Sequence, residues 1–349
     1  MKILIYTDNH WATNTSVLRQ RGEVYSLKLE NQIKSINWVN SVAKEKCDKI
    51  ICLGDFFDKP ELNAEELTAL KEIEVREHEF IVGNHEVNSN DLKYSSAHIF
   101  SGFSKVYSQI ETFSIGETQF LVLPYSTEST RPHLKDLIDT LGLDRERLII
   151  LSHNDIKDLQ YGYYKSTIGY PKQDILDNCR LFINGHIHNS GTFNDKIINV
   201  GSLTGINFSN DSDRYDNRVL ILDTETYEIE SITNPYSLEF YKAELNTEED
   251  VEAYLSKRSN NRSIISIKIP NEIHQQANLI IKRYLDKIVY IRTQVSYNVR
   301  EETLQEQIKI DMNYFDKFKE FVKVKCEDGS GNLYLMLEEL DLIGGAQWI

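Results

Sequence analysis

No apolar run in this 349-residue chain approaches the roughly eighteen residues that a membrane-spanning helix needs. A bilayer-embedded protein is therefore not expected. Cysteine is scarce and unpaired in pattern: Cys47, Cys52, Cys179 and Cys326 are far apart, with no Cys-x-x-Cys pair and no export signal. They read as reduced thiols of a soluble, cytoplasmic protein. Positive charge is in deficit, since 39 Lys and Arg face 54 Asp and Glu for a net charge of −15. Phosphate neutralisation by basic residues supplies most free-standing nucleic-acid affinity, so the global charge argues against it. The chain also lacks a Gly-x-x-x-x-Gly-Lys-Ser/Thr loop, which excludes nucleotide-driven work by this polypeptide alone. It shows no internal repeat and no low-complexity tract.

What the sequence does contain is five short polar segments at regular stations: Asp8-Asn9-His10, Gly54-Asp55-Phe56-Phe57-Asp58, Gly83-Asn84-His85-Glu86, Ser152-His153-Asn154 and Gly185-His186-Ile187-His188. Each directly follows a short apolar, β-branched run, at residues 2–6, 49–53, 79–82, 148–151 and 181–183, of the kind that buried strands use. In open α/β sheets ligands bind beyond the carboxyl ends of the strands, so five such ends can converge in one crevice. Carboxylate, imidazole and amide oxygen together suit Mn²⁺, Fe or Zn with open positions, whereas thiolates would select softer ions. Two divalent cations in such a site clamp the attacking and leaving oxygens of an in-line phosphoryl displacement.

In this order the segments resemble the signature of the calcineurin-like metallophosphoesterase superfamily, DxH, GDxxD, GNH[DE], H and GHxH, over roughly residues 1–230. The resemblance implies an α/β fold: a β-sandwich flanked by helices, followed by a small α/β capping domain and a C-terminal helical segment. It also implies that Asp8, His10, Asp55 and His188 hold one metal, and that Asp55, Asn84, His153 and His186 hold the other, with Asp55 as the bridge. His85 would sit near the phosphate as leaving-group acid or transition-state stabiliser. Asp58 either orients His85 from behind or caps a helix before Pro60. Glu86 reads as a neighbour of His85 outside the ligand set. His78, His98, His133 and His274 lie outside the motifs and are assigned no role.

Protein Ser/Thr phosphatases of the superfamily carry Arg-Gly after the second motif and before GNHE. Here Lys59-Pro60 and Ile81-Val82 stand in those places, which disfavours that subgroup. Three features are instead similar to the SbcD-type double-strand-break repair nuclease subunit and its T-even bacteriophage counterparts. They are the GDFFD form of the second motif, the aromatic loop at 160–169, and Asn199-Val-Gly-Ser202 followed by the run at 218–223. The resemblance implies a Mn²⁺-dependent exonuclease and endonuclease acting on DNA in repair or recombination, in a bacterium or a phage-infected host. Mg²⁺, Fe or Zn are the other candidate ions. The implied partners are an SbcC-like ATPase and a second copy of the chain, the dimer face being helices at 26–46 and 63–74 with Leu67, Leu70 and Ile73. In the aromatic loop, Tyr161, Tyr163 and Tyr164 either stack on bases or pack as a surface loop. The alternative function is a small-substrate phosphodiesterase or phosphatase, and a third is a non-catalytic scaffold, which the complete ligand set disfavours.

Beyond the motifs the charge changes sign locally. Residues 255–300 hold nine basic side chains against Glu272 and Asp286, leaving −22 for the rest of the chain. This segment either guides a phosphate backbone or is an ordinary solvated face. Its pattern reads as strand 263–270, helix 272–285 and strand 288–293. The organisation expected is a nuclease domain at 1–240, a basic α/β capping domain at 241–300, and a helical segment at 301–349 that either docks an ATPase or packs on its own chain.

Overall fold

The strand Lys2–Tyr6 is apolar at every position after Lys2, and it is buried on both faces. Ile3 and Ile5 point to one side and Leu4 and Tyr6 to the other, so a continuous apolar run here means a strand sandwiched between two layers. The same holds for Lys49–Cys52, Leu148–Ser152 and Leu181–Asn184. The computed structural model describes residues 1–13, 22–161, 164–208 and 216–296.

Two six-stranded sheets follow from these runs. In the first, the order is Ile229–Thr233, Arg218–Asp223, Lys2–Tyr6, Lys49–Cys52, His78–Ile81, Val106–Tyr107. In the second it is Gly191–Phe193, Ile197–Asn199, Leu181–Asn184, Leu148–Ser152, Thr118–Leu123, Glu111–Ile115. The central strands of each sheet run parallel. Their inner faces meet in one core, with Ile3, Ile5, Ile51 and Ile81 of the first sheet in a cluster with Val122, Ile149, Leu151 and Ile183 of the second.

Helices cover the outer faces. Leu27–Lys46, capped by Ser26, lays Leu29, Ile36, Val39 and Ala43 against Leu4, Tyr6 and Phe80. Their helical spacing makes one apolar stripe. On the other side, Leu134 and Ile138 of Leu134–Leu141 and Ile175 of Lys172–Asn178 pack on Leu121, Ile150 and Phe182. The result is the helix-flanked β-sandwich expected from the sequence, and no helix among the described residues is long and apolar enough to cross a membrane.

A third sheet, of strands Glu239–Glu244, Ser263–Pro270 and Tyr290–Ser296, begins where the sequence suggests a domain boundary. Glu239–Glu244 pairs in parallel with Ser263–Pro270. Met1–Ile269 and Gln275–Gln294 form one compact unit, and the second unit falls mostly outside the described residues, as does the whole 301–349 segment. Several expectations change at the level of side chains. Tyr161 is buried in the core of the second helical layer, edge-on to Phe193, which removes it as a base-stacking candidate. Tyr163 lies outside the described residues. Of the three apolar residues offered for a dimer face, only Leu67 is exposed, because Ile73 is buried and Leu70 packs against the core.

One buried group ties the first sheet to its helix. His78 Nδ1 is 2.9 Å from the Tyr6 hydroxyl and Nε2 is 2.6 Å from Asn40 Oδ1, an arrangement that satisfies a neutral imidazole with Nε2 donating and Nδ1 accepting. Burial pushes its pKa from 6.5 down to about 3. As pH falls below about 6.5 the unfolded chain takes this proton and the folded chain does not, so stability present above that pH is lost. We expect wild type to lose about 2 kcal/mol more than His78→Asn between pH 6.5 and 5, in urea unfolding with chelator present. Equal pH slopes in the two proteins would remove His78 as the cause.

Candidate metal centre

The five motif loops leave the strand ends and are zipped to one another by backbone hydrogen bonds. Asp8 and His10 donate their N–H groups to the carbonyls of Gly54 and Asp55, each at 3.0 Å, and Trp11 to that of Phe56 at 2.7 Å. Gln32, from the long helix, donates its side-chain amide to the carbonyls of Asn9 and His10. The two sheets are joined at the same end, where Tyr125 N–H donates to Val82 O and His153 Nδ1 lies 2.7 Å from Leu53 O.

The backbone is forced into unusual shapes to do this. Asp8, His10, Asp55 and His186 have φ of 51°, 49°, 49° and 71°, in the left-handed region that non-glycine residues seldom occupy. Strain at four positions in one cluster is characteristic of a functional site held by its surroundings. Glycine is required beside them. Gly54 has φ of 112°, and a Cβ there would overlap the His153 ring, while a Cβ on Gly83 would overlap Asp55.

Six side chains singled out from the sequence are brought together in two groups whose ligand atoms lie within 4.8 Å: Asp8, His10 and His188, and Asp55, His153 and His186. Asn84 completes the second, its Oδ1 lying 3.2 Å from His153 Nε2 and 2.8 Å from His186 Nδ1. His10, Asp58 and His85 form a third group beside the first. Asp58 is not a helix cap: the following helix is capped by Asn63, and Asp58 Oδ1 lies 2.8 Å from His10 Nδ1 and 3.7 Å from His85 Nδ1. His85 itself is nearly half exposed and donates its backbone N–H to Asp55 Oδ1 at 2.9 Å.

The polar atoms do not balance on their own. Asp8 Oδ1 and Asp55 Oδ2 are fully buried and have no hydrogen-bond partner among the described residues. Asp55 Oδ2 does lie 3.1 Å from His153 Nε2. That ring, however, places Nδ1 on the Leu53 carbonyl, which calls for the proton there and leaves Nε2 as a lone pair facing an anionic oxygen. Likewise His10 Nε2 and His188 Nε2 face each other at 3.0 Å. A proton or a cation must lie between such atoms.

The electrostatics give the same answer. Burial pushes the Asp8 carboxyl up, but His10, His153 and His188 more than offset it and hold it at about 2, and Asp55 is likewise carried below the carboxylate range, chiefly by His153 acting against burial. Burial opposes charge on His10, yet Asp58 and Asp8 raise it to about 9; Asp55 does the same for His153. Burial and His10 together depress His188 to about 4. The cluster thus demands positive charge, and a hard donor set of carboxylate, imidazole and amide oxygen fits divalent cations.

Two acidic residues outside the expected ligand set are part of this frame. Glu86 is fully buried and accepts from Gly83 N–H at 2.9 Å and Phe57 N–H at 3.2 Å, tying the third loop to the second. Burial, with Asp55 nearby, raises it to about 7. Asp155 Oδ2 lies 3.2 Å from His186 Nε2. Glu86 closes the third segment and Asp155 directly follows the fourth, but only the folded loops show what they touch. A cavity of about 170 Å³ opens beside His188, lined among others by Ser202, Asn217, Leu238 and Phe240.

A putative 5′-nucleotidase from Staphylococcus aureus is 12% identical, covering 66% of this chain and 52% of its own, with a TM-score of 0.33. This chain therefore spans about half that protein's length. A dimetal phosphatase from Danio rerio is 14% identical over 67% of this chain and 98% of its own, TM-score 0.40. A metallophosphoesterase from Sphaerobacter thermophilus is 14% identical over 74% and 94%, TM-score 0.32. Likenesses at this level carry no argument. No curated protein sequence matches. The calcineurin-like phosphoesterase family model matches residues 1–190, more than half of the chain and all five motif loops, and the chain belongs to that family of metal-dependent phosphoester hydrolases.

Proposed function

We propose that this chain is the nuclease subunit of an SbcCD-like DNA repair or recombination complex, a two-metal enzyme that hydrolyses DNA phosphodiesters. The observation that carries the hydrolase part of the reading is the convergence of a complete hard-ligand set around two carboxylates that each keep an unmatched buried oxygen. The DNA part draws support from the motif forms in the sequence. Asp8, His10, Asp55 and His188 would hold one cation, and Asp55, Asn84, His153 and His186 the other. A pair of divalent cations held there, most suitably Mn²⁺, would supply Lewis acidity to the phosphate and would lower the pKa of a bound water.

The chain's own residues do the rest. His85 stands nearly half exposed at the mouth, its ring 4.6 Å from that of His10, where an imidazole can donate a proton to the leaving 3′-oxygen. Asp58 is within reach to orient both rings. The burial of Asp8, Asp55 and His153 keeps competing water away from the ligand atoms. In the reading, an SbcC-like ATPase, DNA and a second copy of the chain are the partners, in a cytoplasmic setting.

A small-substrate phosphodiesterase or phosphatase is the second reading, and two observations favour it. The cavity beside His188 has the size for a compact ligand. The basic segment has also spent part of its charge, because Arg262, Lys268 and Arg283 pair with Glu239, Glu244 and Glu252.

Incubation of the full chain with Mn²⁺, end-labelled duplex and single-stranded DNA, and bis-p-nitrophenyl phosphate separates the two. We expect DNA cleavage that declines steeply with salt, and loss of at least about 100-fold in rate in His85→Ser with both metals retained. Hydrolysis of the small diester with DNA left intact would transfer the assignment to the second reading. Asp8→Ala should lose one metal equivalent by elemental analysis together with activity. A fully active Asp8→Ala enzyme contradicts the metal assignment.

A further inference from the structure

His186 has two acceptors on its two ring nitrogens, Asn84 Oδ1 at 2.8 Å from Nδ1 and Asp155 Oδ2 at 3.2 Å from Nε2. A neutral imidazole carries one proton, and a carboxylate is a stronger acceptor than an amide oxygen. The proton therefore belongs on Nε2, and Nδ1 presents its lone pair to the space shared with Asn84 and His153.

This arrangement repeats one on the other side of the centre. There Asp58 lies 2.8 Å from His10 Nδ1, which leaves Nε2 to face Asp8 and His188. Each half of the site has one imidazole backed by a carboxylate, the device that fixes the tautomer and orientation of metal-binding histidines. The two differ in which nitrogen is backed, so the two rings present opposite nitrogens inward.

Asp155 is itself firmly placed. Its carbonyl accepts from Tyr170 N–H at 3.0 Å, its Oδ1 accepts from the Ser166 hydroxyl at 3.3 Å, and a Cβ on Gly169 would overlap its backbone. It is buried, at 8% exposure, so its orientation is set by the protein and not by solvent. The segment at 166–170 that carries these partners thereby acquires a purpose at the centre.

Building on the two-metal reading above, we propose that Asp155 is a positioning residue that holds His186 as the Nε2–H tautomer and so sets the affinity of the cation site formed by Asp55, Asn84, His153 and His186. The test is calorimetric titration of Mn²⁺ into the full-length apo protein, with electron paramagnetic resonance of the coupled Mn²⁺ pair as an independent signature. Wild type is compared with Asp155→Ala and with Asp155→Asn, which keeps the shape and removes the charge, and the apo melting of each is measured in chelator.

The expected result is that one of two sites weakens about 10- to 100-fold in Asp155→Ala and less in Asp155→Asn, the coupled signal fades, and the other site keeps its affinity. Two unaltered sites in both variants overturn the proposal. Equal weakening of both sites accompanied by a lower apo melting temperature also overturns it, since that is the mark of a structural role. If wild type itself binds fewer than two ions, the two-metal reading fails and takes this proposal with it, an outcome distinct from the other two.

Discussion

The structure turns on two carboxylates, Asp8 and Asp55, that are wholly buried with one oxygen each left unmatched. Removing such anions from water costs several kcal/mol each unless positive charge meets them. The neighbouring features serve that requirement. Imidazoles ring the two groups, His10 and His153 are raised to about 9 by the carboxylates beside them, and the backbone bends into left-handed conformations so that the ligand atoms face one another. A divalent cation in each group would do the same work as those protons and would release the imidazoles as neutral ligands.

That requirement explains the fold's architecture as much as its motifs. Parallel strands buried on both faces deliver their carboxyl ends to one edge of the sandwich, so five loops arrive together without long connections. The apolar core supplies rigidity, and buried polar side chains transmit it to the loops. Asn154 accepts from Ser126 N–H at 2.9 Å and donates to the Leu123 and Pro124 carbonyls, while Asn184 donates to the Asn154 carbonyl. Gln32 and Glu86 do the corresponding work around the first three loops. Truncating such a residue leaves buried groups unpaired, which costs more than the bond itself contributes.

Much of this was legible in the sequence, for a physical reason. A strand buried on both faces must be apolar along its length, and Lys2–Tyr6, Arg218–Asp223 and Ser263–Pro270 are found where their side-chain patterns place them. The residues that converge at the candidate site were legible because each follows its strand within a few residues, where geometry leaves little freedom. Asp155 and Glu86 were not. Their importance lies in contacts with His186, Gly83 and Phe57, and nothing in local spacing distinguishes a buried acid that holds a loop from a solvated one. Spacing left Tyr161 open between base stacking and packing, since only a partner such as Phe193 shows whether an aromatic residue in a loop is covered. The basic segment at 255–300 lost part of its apparent charge for the same reason, its counter-charges coming from Glu239, Glu244 and Glu252 of the preceding residues.

The most direct test of the central claim is anomalous X-ray scattering from crystals of the full chain soaked with Mn²⁺. The account predicts two peaks, one among Asp8, His10 and His188 and one among Asn84, His153 and His186, with Asp55 reaching both. A map with no peak at these residues, while Asp8 Oδ1 and Asp55 Oδ2 remain buried and unpartnered, would contradict it.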